Sequence, residues 1–164
     1  MPIEQSKPGE LAVIDEQLSA DGSVGGRECG TCTVCCTVLA IAEMNKPMRW
    51  ACDHVTCTGC GIYEKRPQAC RDFDCAWLRG LLPSQGELQD DDSLRPDKLG
   101  VLFDFFYSTA NSKSRFVAFE LWRGAFDEAS AAAILNKIAA SREVELSYRD
   151  GTWRTIGTTC QVDA

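Results

Sequence analysis

The reactive side chains of this sequence are concentrated in two stretches. CGTCTVCC, residues 29–36, puts Cys29, Cys32, Cys35 and Cys36 into eight positions. ACDHVTCTGCGIYEKRPQACRDFDCAWL, residues 51–78, adds Cys52, Cys57, Cys60, Cys70 and Cys75, with His54 as the only histidine of the chain. Nine of the ten cysteines therefore precede residue 76, and Cys160 stands apart near the end. Cys29-x2-Cys32-x2-Cys35 is the spacing of the first three ligands of a ferredoxin-like run, whose two-residue gaps let successive thiolates converge on one centre. Cys57-x2-Cys60 is a zinc-knuckle spacing, with Gly59 and Gly61 free to form the tight turn that aims backbone amides at sulfur. Cys70-x4-Cys75 is a further pair, set just after Pro67.

Cys36 follows Cys35 at once, so their side chains diverge. If the segment is helical, Cys29, Cys32 and Cys36 share a face and Cys35 lies nearer an adjacent one. That arrangement is compatible with two sites, or with one site that has an inner and an outer partner. His54 is either a ligand or an ordinary packed or surface histidine. Concentrated thiolates need offsetting charge. Arg27, Lys65, Arg66 and Arg71 flank the cysteines and either donate to sulfur or are solvated surface cations. Cys–His catalysis would need a thiolate left free beside His54, yet each nearby cysteine has a use as a ligand. Asp72 and Asp74 alternate around Phe73 and read as a solvated face, while Trp50, Tyr63, Phe73 and Trp77 read as local packing over a metal.

The surrounding chain must position these thiols. Its 164 residues suffice for one domain with its own core. A formal charge of −7 and scattered basic residues argue against a nucleic-acid partner. The start, MPIEQSKPGELAVIDEQ, has no apolar run of signal-peptide length, and no later run is long enough to span a bilayer. A cytoplasmic protein off the membrane is expected, in a compartment where clustered thiols bind metal or react rather than form disulfides. Residues 1–26 read as a flexible lead-in with at most a short helix over 10–20, and residues 27–164 as a single domain. Within it, 27–82 form the cysteine-cluster module, 83–99 a long polar loop, and 100–160 a strand and helix part.

VLFDFFYS (101–108) and SRFVAFELW (114–122) predict a hairpin around STANSK. AFDEASAAAILNKIAASRE (125–143) predicts a helix capped by Asp127, with Ala132, Leu135, Ile138 and Ala139 at helical spacing. VELSYRD and GTWRTIG (144–157) alternate around Asp150–Gly151, a pair favoured in tight type I′ hairpins. The expected fold is α+β: a cysteine-rich, metal-organised module packed on a C-terminal strand–strand–helix–strand–strand unit.

With these residues in view, the chain resembles the CxxCxxCC, or cysteine-cluster, family of zinc- or iron-chelating proteins. The resemblance rests on Cys29, Cys32, Cys35 and Cys36, then Cys60-Gly-Ile-Tyr, Arg66-Pro67, Cys70-Arg71, Phe73 and Cys75. Cys52 and His54 resemble a Trp-Cys-Pro-His-like element of one bacterial subgroup, with Asp53 where proline is usual, and RPDKLGV (95–101) resembles that subgroup's C-terminal part. A similar cluster occurs in flagellin lysine N-methylases, where the resemblance implies an iron–sulfur centre; this chain is too short to add that enzyme's machinery. Cys57 and Cys160 fall outside the motif. The implied ligands are Cys29, Cys32, Cys35, Cys36, Cys52, Cys60, Cys70 and Cys75.

Two readings follow. In one, the thiolates bind zinc in a structural or metal-handling role, since eight thiols divide into two closed four-thiolate sites and a metal supplies folding energy to a part with few periodic elements. In the alternative, an iron–sulfur cluster serves electron transfer or a redox enzyme's partner. A third reading, a disulfide-dense fold, runs against the missing signal peptide. None of them makes the chain a self-sufficient enzyme.

Overall fold

The computed structural model describes residues 27–83, 91–108 and 113–157. The lead-in, the short helix expected over 10–20, Cys160 and residues 109–112 of the STANSK turn lie outside the described residues. The fold is α+β. Its largest element is a four-stranded sheet of β3 (Val101–Ser108), β4 (Lys113–Glu120), β5 (Glu143–Ser147) and β6 (Trp153–Ile156), in the order β3-β4-β5-β6. β3 and β4 pair antiparallel from Val101↔Glu120 to Ser108↔Lys113, β4 and β5 run parallel, and β5 and β6 are antiparallel. The parallel pair requires a crossover, which helix α4 (Ala129–Ala139) supplies.

The sheet is buried where its sequence is continuously apolar. Val101, Leu102 and Phe103 on β3 and Phe116 to Phe119 on β4 are all buried, so the sheet is covered on both faces there. α4 contributes Ala131, Ile134, Leu135 and Ile138 to this core. Val34, Val38, Ala76, Trp77 and Leu78 from the cysteine-rich part join the same buried cluster. The Ala76 N–H also donates to the Phe103 carbonyl at 2.8 Å, fastening that segment to β3.

Three local expectations are corrected. The helix starts at Ala129 rather than near 125, because a 3-10 turn at Ala125–Asp127 precedes it. Asp127 therefore ends that turn, Glu128 occupies the N-cap without a side-chain bond, and the buried face is Ala131, Ile134, Leu135 and Ile138. The β5–β6 turn is a longer loop than type I′. The Tyr148 N–H donates to Thr152 O at 2.9 Å and Gly151 N–H to Tyr148 O at 3.0 Å, enclosing Arg149, Asp150 and Gly151. Only Gly151 takes a positive φ there, +90°, so this is the three-residue hairpin with glycine in the left-handed position.

The third correction concerns the polar loop, whose described end is ordered. Asp91–Leu94 forms a 3-10 turn and α3 (Pro96–Leu99) follows. Pro96 opens α3, where its missing N–H costs nothing. Leu94 and Leu99 are buried, which anchors a segment that reads as polar in sequence. Arg95 forks onto the Asp97 carboxylate at 2.6 and 2.9 Å, and Asp92 pairs with Arg95 and Lys98.

Candidate metal centre

The cysteine half consists of short pieces. α1 (Val34–Val38), β1 (Val55–Thr56), β2 (Gly59–Cys60) and α2 (Gln68–Asp72) are its regular elements among the described residues, with 3-10 turns at Ala42–Met44 and Tyr63–Lys65. α1 begins too late to carry Cys29 and Cys32, so the helical reading of the whole CxxCxxCC run is corrected. Those two sit in a turn closed by Cys32 N–H donating to Cys29 O at 2.9 Å, while Cys35 and Cys36 lie on the helix. Cys52 N–H donates to Cys36 O at 2.9 Å, and Val55 N–H to Cys52 O at 3.1 Å. Val55 pairs with Cys60 across the β1–β2 hairpin, whose turn residues are Cys57 and Thr58. Cys70 rides on α2. The first turn of α2 is held from a distance, since the Glu43 carboxylate accepts from Gln68 N–H at 3.2 Å and Ala69 N–H at 2.8 Å.

These connections bring the predicted ligands together. Cys29, Cys32, Cys35, Cys36, Cys52, Cys60 and Cys70 all line one cavity of about 150 Å³, whose remaining wall includes Leu39, Ile41, Ile62 and Phe73. Cys75 is buried outside that lining and is coupled by charge to Cys29 and Cys32. Cys57 is exposed in the hairpin turn and does not line the cavity. His54 is exposed and contributes its carbonyl, which accepts from Gly61 N–H at 2.8 Å. Every cysteine among the described residues is a free thiol. Among the described residues, no three Cys, His, Asp or Glu side chains close around a point as a finished metal site. The sulfurs are gathered, not closed.

The aromatic expectation divides. Trp77 is buried, and Phe73 is half-buried on the cavity wall. Trp50 is corrected: it is 68% exposed and packs over nothing in the core. Tyr63 is 54% exposed at the cavity's edge, with the Arg66 guanidinium 3.6 Å above its ring.

The electrostatics follow from the crowding of thiols. Burial pushes Cys29 up, and the neighbouring Cys32 and Asp74 push further, against the pull of Arg66. Burial also raises Cys32, although the Val34 and Asp97 backbone N–H groups donate to its sulfur. Cys75 is pushed up to about 11 by burial, despite N–H groups of Leu78 and Trp77 on its sulfur. The Cys35–Cys36 hydrogen bond, with burial, pushes Cys35 up, and the same bond draws Cys36 down to about 6 against its own burial, with Lys46 and Arg66 helping. Amides on sulfur and cations beside it are what a thiolate ligand requires.

Sequence reasoning missed three contributors. Lys46 is only 8% exposed, and its ammonium donates to the carbonyls of Leu39 and Pro47 beside the thiols. Glu43 holds the helix that carries Cys70, and Asp97, fixed by Arg95, accepts from Cys32. An isolated Lys or Glu in sequence carries no sign of a thiol partner. Of the four flanking cations, Arg66 lines the cavity, whereas Arg71 is exposed and bonds Gln68.

The donor set suits a thiophilic metal. Eight soft sulfurs are available with no disulfide among the described residues, and amides and cations are placed to offset thiolate charge. Fold and site together define an α+β protein with a thiol-lined cavity beside its sheet. The chain matches no family model, no curated protein and no solved structure. Among the described residues no helix is long and apolar enough to cross a membrane.

Proposed function

We propose that this is a metal-binding protein of the zinc- or iron-chelating cysteine-cluster type, holding its metal through thiolates in a structural or metal-handling role. One observation carries the reading: seven of the eight expected ligands, drawn from four separate chain segments, line one cavity. Chance burial of cysteine, a small apolar side chain, does not collect so many thiols at one wall. The ligands would be Cys29, Cys32, Cys35, Cys36, Cys52, Cys60, Cys70 and Cys75. Zinc would close four-thiolate sites with no position open to substrate, which is why a self-sufficient enzyme is not proposed. A reducing, cytoplasmic setting suits free thiols of this density. The acidic charge gives no face for a nucleic acid.

The room in the cavity favours the iron–sulfur alternative. A volume of about 150 Å³ exceeds what one ion needs, and the wall beyond the thiols is apolar, a setting that tunes cluster potential. Elemental analysis with an optical spectrum of anaerobically purified protein separates the two. About two zinc per chain and no visible band is the expected result for closed tetrahedral sites. Iron with matching acid-labile sulfide selects the alternative. Neither metal, with disulfides instead, refutes both.

A further inference from the structure

We propose that the eight thiols form two separate four-sulfur centres, one of Cys29, Cys32, Cys35 and Cys75, the other of Cys36, Cys52, Cys60 and Cys70. This rests on the metal-binding reading and assigns which residues serve which centre.

The chain path makes the division. Cys35 and Cys36 are consecutive on α1, so their side chains leave the helix about 100° apart; their sulfurs touch at that boundary, and beyond it each is surrounded by a different group of thiols. On one side of that divide, Cys36 is tied to Cys52 by a 2.9 Å backbone bond, and Cys52 to Cys60 through Val55 and the hairpin pairing. Cys70 is brought to the same side by Glu43, which lies in the loop closed by the Ile41↔Lys46 bridge just after α1. The thiols that act on Cys70 are Cys36, Cys52 and Cys60.

On the other side, Cys29 and Cys32 share one turn, and Cys32 packs against the core cluster that contains Cys75. The thiols that act on Cys75 are Cys29 and Cys32, and those two also act on Cys35. The surroundings differ in kind as well. Backbone amides from Val34, Asp97, Trp77 and Leu78 meet the sulfurs of Cys32 and Cys75, whereas the charge of Lys46 faces Cys52, Cys36 and Cys70 and, from the first set, only Cys35 at the boundary. The links between the two sets converge on Cys36, which meets Cys35 directly and also acts on Cys29.

The test counts metal in full-length protein purified anaerobically with reductant, by elemental analysis. Wild type is expected to hold two equivalents, read as zinc ions or as iron–sulfur clusters. Cys52→Ser, Cys70→Ser and the double variant C52S/C70S should each lose the same one equivalent, while C70S/C75S should lose both. Cys57→Ser should keep both. A within-set double variant that loses both, or a cross-set double that loses one, overturns the partition. So does a wild type with a single equivalent. Wild type with no metal refutes the underlying metal-binding reading instead. Because serine variants can fail to fold, wild-type protein partly stripped with a chelator supplies a second readout. Pulse alkylation and peptide mapping should then show thiols becoming reactive in two blocks of four. Exposure of all eight together, or one at a time, overturns the proposal.

Discussion

Arg49 joins the cysteine half to the sheet, and removing it should loosen both. Its guanidinium donates to Glu120 O at 2.8 Å and to Ser147 O and Oγ at 2.8 and 3.0 Å. Both acceptor residues are buried, Ser147 being only 1% exposed. Charge-assisted hydrogen bonds contribute about 1.5–3 kcal/mol each, but three on one fork are not additive and water reaches a half-buried guanidinium. Arg49→Ala should therefore cost about 2–4 kcal/mol. In a chain of this length each kcal/mol moves the melting midpoint by about 2–4 °C, so a fall of about 4–16 °C is expected. Arg49 also has φ +63°, a left-handed conformation that glycine adopts without penalty. Arg49→Gly should thus be less damaging than Arg49→Ala by about 1 kcal/mol, reversing the usual order. Urea unfolding followed by tryptophan fluorescence and far-UV circular dichroism gives both values. The segment reaches the thiols three residues later, where Cys52 bonds Cys36, so Cys52 should alkylate faster in either variant. An Arg49→Ala chain within about 0.5 kcal/mol of wild type, below the range of a single buried charged bond, would refute the stapling role.

The glycines near the sheet should rank by what a methyl group would meet. At Gly157 (φ +103°) a Cβ would stand 2.2 Å from the Arg142 carbonyl; at Gly100 (φ +82°) it would stand 2.5 Å from the Trp122 ring, and at Gly124 (φ +85°) it would meet nothing. Alanine should cost about 1 kcal/mol at Gly124 from backbone strain alone, more at Gly100, and most at Gly157, where backbone must move, as read from denaturation midpoints. Glu43→Ala should remove the cap on α2 for about 1 kcal/mol and speed alkylation of Cys70 relative to Cys75; equal acceleration of both would contradict the positioning role. Burial holds the Asp104 carboxyl above the ordinary carboxylate range, opposed by the Phe105 N–H and Arg79. The folded chain therefore keeps that proton more tightly than the unfolded one. The stability this contributes is full below the unfolded pKa of about 3.9 and is lost as pH rises through the higher folded value. Asp104→Asn should consequently gain on wild type at neutral pH and not at pH 3, measured by urea titration at both.

What could be read from the sequence were features fixed by local chemistry. β3 and β4 read as strands from their Val, Leu and aromatic residues, whereas the eight-thiol set is what the family resemblance implies, since spacing alone also pairs Cys57 with Cys60. The helix was legible as a helix, but its start was not, because Ala125 and Phe126 are drawn into the core and tighten the preceding turn. Residues 91–99 look like loop since their order comes from Leu94 and Leu99 reaching a core that other segments build. Trp50 misleads for a related reason. Its neighbour Arg49 turns inward to Ser147 and Glu120, leaving the tryptophan outside. Lys46, Glu43 and Asp97 meet their partners across gaps in sequence, and no spacing rule announces them.

The cysteine half was expected to depend on metal for its organisation, since it has few periodic elements. Its ties to the rest of the fold revise how that dependence should work. Arg49 fastens it to β4 and β5, Ala76 to β3, and Val34, Val38, Trp77 and Leu78 share the sheet's core. Cys36, Cys52 and Cys70 are placed by backbone bonds and by Glu43, none of which uses a sulfur. A zinc finger stripped of metal unfolds because coordination is most of its folding energy. Here the scaffold is held by protein contacts, so under the metal-binding reading a metal would only have to draw gathered sulfurs together. Under the metal-binding reading, removal of metal should then leave the sheet and the seating of Trp77 intact while raising thiol reactivity. The useful consequence is reversibility: a site that does not collapse when emptied can be filled again, which a metal-handling protein needs and a purely structural site does not.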